Sequence, residues 1–136
     1  MPEETAAYPW PSYYEHFDFF EGRMRSHSRI ASIMGSGDGV YDLGLKKGGA
    51  LRVFICECYS FGVAEYTEVV AKLGQLDAII INSAWCGYTP DAKRMCRTDK
   101  VGLFKIKDFM AALNKPDLSS YLNATEKEAF AKKGWP

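Results

Sequence analysis

Apolar residues recur along the chain at two periods, and the switches between them divide it into elements. Tyr14, Phe17 and Phe20 recur at three-residue steps and Met24 continues the series, which predicts a helix. Ser12 opens it, since Ser12 and Glu15 have capping-box spacing. The prolines of Tyr8-Pro9-Trp10-Pro11 keep the preceding residues out of that helix. Gly35-Ser36-Gly37-Asp38-Gly39 reads as a turn or loop. Val40 to Leu45 and Leu51 to Tyr59 are strand-like runs, joined by a hairpin that reverses at Gly48-Gly49.

Helical spacing returns in Val63, Tyr66, Val69, Val70 and Leu73, with Gly74 as the stop. Leu76 to Ser83 is apolar on both faces, the mark of a buried central strand. Thr89-Pro90-Asp91 starts a helix. Val101 to Ile106 reads as a strand and Asp108 to Leu113 as a short helix. Thr125 and Glu128 form a second candidate capping box for a helix ending at Lys133. The order α, β, β, α, β, α, β, α predicts an α/β domain in which an antiparallel hairpin leads into parallel crossovers. Residues 1–11 are expected to be an extended leader, 12–113 the domain and 114–136 a helical extension.

Charge narrows the partners. Seventeen Lys and Arg balance seventeen Asp and Glu, so nucleic-acid contact has to come from a local patch, because phosphate neutralisation supplies most of such binding. The longest strictly apolar run, Ala78 to Ile81, is far below the roughly 20 residues of a membrane helix. The acidic start has no signal-peptide core. Both features point to a cytoplasmic chain. Cys56, Cys58, Cys86 and Cys96 include no CxxC knuckle and read as buried small hydrophobes in a reducing compartment.

Two carboxylates stand out. Asp42 lies in the first hairpin strand and Glu57 near the end of the second. A Glu in an otherwise apolar strand needs compensation, by a metal, a cation or water; pairing with Arg52 or a lysine is the plainer account. The segment Gly39 to Leu43, the hairpin and Phe54-Ile55-Cys56-Glu57-Cys58-Tyr59 together resemble the restriction-endonuclease-like PD-(D/E)XK superfamily. Asp77 to Ser83, Gly87 to Lys93 and Val101 to Phe104 are similar to its Mrr-like branch.

The resemblance spans roughly residues 12–113. It implies a restriction-endonuclease-like core, a mixed central sheet flanked by helices, and a Mg²⁺- or Mn²⁺-dependent phosphodiester hydrolase acting on nucleic acid, DNA ahead of RNA. Asp42 and Glu57 fall on its metal-binding acids, and the Cys58 carbonyl on a further ligand. Tyr59 replaces the expected lysine, and a phenol donates a hydrogen bond but no positive charge at neutral pH. Lys72 is the nearest substitute, although an i,i+4 pair with Glu68 explains it more simply. In some members a further acid from the first helix assists the metal; Glu15 and Glu21 are the candidates, and Glu15 is already explained by its cap. An impaired hydrolase follows, or an inactive member of the fold that binds nucleic acid or protein. Cutting both strands of a duplex requires two copies, hence a homodimer.

The remaining features have plainer readings. Arg23, Arg25, His27 and Arg29 suit a phosphate-facing patch, or a solvated face. Trp10, Tyr13 and Tyr14 suit base stacking, or packing. The glycine loop lacks the Lys and Ser/Thr of a P-loop. Ser83 and Cys86 lack a nucleophile elbow. A third class is a doubly wound small-ligand domain, whose ligand would sit at the carboxyl ends of Leu76–Ser83 and Val101–Ile106.

Overall fold

The computed structural model of the chain describes residues 14–35, 39–82 and 86–136. The leader, Ser12, Tyr13, most of the glycine loop and Ser83 lie outside them. The aromatic spacing near the start produces α1 (Tyr14–Arg25), which buries Phe20 and Met24. Next comes a strand the sequence reading does not contain, β1 (Ile30–Gly35). Only Ile30 of its six residues is buried, because it is the sheet edge and has no strong alternation to reveal it.

β1 pairs antiparallel with β2 (Val40–Leu45), which pairs antiparallel with β3 (Ala50–Cys56). The connecting turn closes through Gly48 N–H to Leu45 O (2.9 Å) and Leu45 N–H to Gly49 O (3.0 Å). Gly48 and Gly49 hold φ of 105° and 85°, a region open to glycine at little cost. β3 stops at Cys56, three residues before the expected end, and the chain turns into the short β4 (Ser60–Phe61).

α2 (Val63–Leu73) turns Tyr66 and Val69 inward, as its stripe predicts. It leads to β5 (Ala78–Ile81), all four residues buried. β6 (Gly87–Tyr88) pairs parallel with β4. In α3 (Pro90–Thr98), Thr89 caps as expected, its Oγ1 accepting from Ala92 N–H at 3.1 Å. β7 (Gly102–Phe104) and α4 (Ile106–Ala112) follow. α5 (Ala124–Lys133) is capped by Asn123 with Glu126 rather than by Thr125 with Glu128, two residues earlier than its spacing suggests.

The main sheet has the order β1-β2-β3-β5-β7, antiparallel through β3 and parallel beyond it. This is an α/β fold with a mixed sheet. One face buries Phe54, Cys56, Ile79, Ile81 and Leu103 under α2 and α3. The other buries Leu43, Val53, Ile55, Ile80 and Phe104 under α1 and α4. Coverage of both faces explains why β5 shows no polar alternation. Among the described residues no helix is long and apolar enough to cross a membrane.

Candidate functional site

The hairpin register decides what Asp42 and Glu57 can do together. Asp42 stands opposite Arg52 and is exposed. Glu57 is the first residue beyond β3, five positions along from Arg52. At about 3.3 Å per residue the two acids sit ~16 Å apart along the strand. Mg²⁺–oxygen distances of ~2.1 Å leave no way for both carboxylates to reach one ion. Asp42 and Glu57 therefore do not fit a shared metal, and the ligand set implied by the resemblance, with the Cys58 carbonyl as third member, is not assembled. Among the described residues no group of three or more His, Cys, Asp or Glu side chains is placed to hold a metal ion.

Arg52, the cation offered to Glu57 by the plainer account, pairs neither with Glu57 nor with Asp42 opposite it. The Arg52 guanidinium donates instead to the carbonyls of Leu73 (2.7 Å) and Gln75 (2.8 Å) after the last turn of α2 begins. Lys72 shares that last turn, at the far end of β3 from Glu57, and so does not stand in for the missing lysine. Tyr59 is 77% exposed, its ring in solvent. Glu21 is committed elsewhere: it accepts from the Tyr41 hydroxyl at 2.7 Å and pairs with Arg25 at 3.3 Å. Burial and this carboxylate push the Tyr41 phenol well above its ordinary range.

A different set gathers at the carboxyl ends of the parallel strands, where open α/β sheets keep their binding crevice. Glu57 follows β3, Asn82 follows β5 and Lys105 follows β7. Asn82 is 6% exposed, and its backbone N–H donates to Cys56 O at 2.8 Å. Its Nδ2 is buried without a hydrogen-bond partner among the described residues. Lys105 Nζ donates to Cys86 O at 2.6 Å. Burial raises the Cys86 thiol and the Glu57 carboxylate adds to this, while Lys105 opposes it. Glu57 and Lys105 therefore act on the same neighbour. Sequence reasoning pointed to these strand ends but named neither Asn82 nor Lys105. The available signal was position: each directly follows a short apolar run.

The four cysteines are free and buried, as their spacing suggested. Burial raises every one of them, Cys96 to about 12. They are protonated thiols at neutral pH, not activated nucleophiles.

A second polar cluster ties α3 to α5. Lys93 is 1% exposed, and its Nζ donates to Leu103 O (2.6 Å), lies 3.8 Å from Glu126 Oε1 and sits 4.1 Å from the Phe104 ring centre. Tyr88 donates to the other oxygen of Glu126 at 2.5 Å. Burial lowers the Lys93 ammonium to about 8, against the pull of Glu126 and Asp108. Each member is committed to its neighbours, so the cluster reads as a structural clasp. No known protein family, curated protein or solved structure matches the chain.

Proposed function

We propose that the chain is a nucleic-acid-binding domain with an endonuclease-like layout, in which Asp42 and Glu57 form no hydrolytic metal centre. The observation that carries this reading is the register: Asp42 faces Arg52 and falls five residues short of Glu57. The absence of a positive charge at Tyr59 agrees with it. So does the sheet, whose hairpin leads into parallel crossovers with helices on both faces, the layout the resemblance implies. Binding is tested by the fluorescence anisotropy of labelled single- and double-stranded DNA and RNA at low and physiological salt, and cleavage by gel analysis with Mg²⁺ or Mn²⁺. Binding that weakens with salt, without metal-dependent cleavage, is expected. No binding to any strand at low salt overturns the reading.

Hydrolysis is the second reading, and one observation favours it. Ile55 N–H donates to Gly39 O at 2.8 Å, so Gly39, not Asp42, stands beside the end of β3 that Glu57 extends. The residue before Gly39 is Asp38, outside the described residues. Metal-dependent nicking abolished by both Asp38→Asn and Glu57→Gln, yet untouched by Asp42→Asn, would establish this reading over the first. In that event light scattering should return a homodimer, since both strands of a duplex need a site.

A further inference from the structure

At the amino ends of the parallel strands, about 20 Å from Glu57 along β3, a cleft of about 990 Å³ opens. Arg29, Lys46, Lys47, Lys100 and Lys115 line it, against two acids, Asp77 and Asp117. In a chain of zero net charge this is a marked local excess of cations.

Both acids hold a hydrogen bond and keep their charge, so the lining carries an excess of three cations. Asp77 Oδ2 accepts from the Arg52 backbone N–H at 2.8 Å, and Asp117 Oδ1 accepts from the Ser119 hydroxyl at 3.2 Å. No cation of the lining forms an ion pair with another of the described residues. The ion pairs formed among the described residues are Arg25–Glu21 and Lys93–Glu126, both outside the cleft. Arg29 makes a hydrogen bond to Asn114 Oδ1 at 3.3 Å, which leaves its charge uncompensated.

Lys100 supplies an independent observation. It follows α3 with φ of 64°, the one non-glycine residue of positive φ among those described. Val101 N–H reaches back to Cys96 O at 2.8 Å across it. This is a Schellman closure, whose left-handed position glycine fills at lower cost. A cation stands there instead, on the wall of the cleft.

The rest of the lining limits the ligand. It includes Leu45, Leu51, Leu113 and Leu118 and no aromatic ring. Base stacking platforms are therefore missing, and phosphate charge is what the lining can recognise.

We propose that this cleft binds the phosphodiester backbone of a nucleic-acid strand. The choice of nucleic acid rests on the function proposed above; the anion preference stands on the cleft alone. Recognition here is sequence-tolerant, because backbone contacts position a strand without reading its bases.

The test uses fluorescence anisotropy with a labelled single-stranded oligonucleotide over a range of salt. The variants are Lys46→Glu/Lys47→Glu, Lys115→Glu and Lys100→Gly, with Lys107→Glu/Lys127→Glu as a charge-matched change on exposed residues outside the cleft. Lys100→Gly removes a cation while easing its backbone, so a loss of affinity there is not a loss of fold. The expected result is roughly a tenfold or greater loss for the Lys46/Lys47 pair, with the slope of log K against log salt shallower by about one for each cation removed. Lys107→Glu/Lys127→Glu should change affinity less than the Lys46/Lys47 pair does. Tight binding by the wild type that the cleft variants leave unchanged overturns the cleft and spares the function. A wild type that binds no oligonucleotide but binds inorganic phosphate, with affinity lost in the same variants, overturns the nucleic-acid reading and leaves a phosphate site. Binding of neither overturns both.

Discussion

The clasp between α3 and α5 and the cleft at the amino ends of the strands hold charge in opposite ways. In the clasp, a buried Lys93 and the half-buried Tyr88 and Glu126 are bound to one another. In the cleft, cations stand exposed and outnumber the acids. A buried ion pair is costly to disturb, because the survivor is left desolvated. An exposed one contributes little to stability. The clasp charges therefore hold the fold, and the cleft charges are available to a ligand.

Breaking the clasp should have the largest effect. Glu126→Ala leaves the buried Lys93 ammonium and the Tyr88 hydroxyl without their carboxylate acceptor, and about 3–5 kcal/mol of unfolding free energy should be lost in urea denaturation. A loss under 1 kcal/mol would show that water replaces the carboxylate, and the contrast with the cleft would fail.

The next effect is a pH dependence. Lys93 has its ammonium lowered to about 8 in the fold, against about 10.4 in an unfolded chain. Between these values the unfolded state binds the extra proton, so this residue's contribution to stability rises with pH and is lost as pH falls through 8. The buried cysteines act the other way: their raised values contribute stability below their unfolded value of about 8.5 that is lost above it. The difference between wild type and Lys93→Met isolates the lysine. It should move in favour of wild type by about 1 kcal/mol per pH unit between pH 8 and 9.5, below the tyrosine range. A flat difference would mean that Lys93 keeps its proton in the fold.

Changes in and near the cleft should be smaller and of different sign. Lys100→Gly relieves a left-handed lysine and should raise stability by about 1 kcal/mol, read as a higher Tm. Asp42→Asn, at an exposed position without a metal partner, should stay within about 0.5 kcal/mol and leave any divalent-cation thermal shift unchanged. Loss of such a shift would restore Asp42 to a metal site.

Most of the fold was legible. Helical stripes and caps marked α2 and α3, and the unbroken apolar run marked β5. β1 escaped because an edge strand with one buried residue carries almost no pattern. The site was less legible, and one turn explains why. A reversal centred between Gly48 and Gly49 sets Asp42 opposite Ile55, two residues short of Glu57. The reversal instead spans Lys46 to Gly49, and Asp42 meets Arg52. A three-residue displacement of the pairing moves a side chain by about 10 Å, which separates a ligand pair from an isolated exposed acid. The cleft was harder still to see. Arg29, Lys46, Lys100 and Lys115 come from separate connections, and only the strand order brings them to one end.

The proposed nucleic-acid strand lies at the amino ends of the parallel strands and not between Asp42 and Glu57. A ¹⁵N–¹H NMR titration of the labelled protein with a short oligonucleotide locates it. The largest amide shift changes are expected on Lys46–Gly49, Lys100 and Lys115. Changes confined to Glu57–Ser60, Asn82 and Lys105, with the cleft amides unmoved, would contradict it.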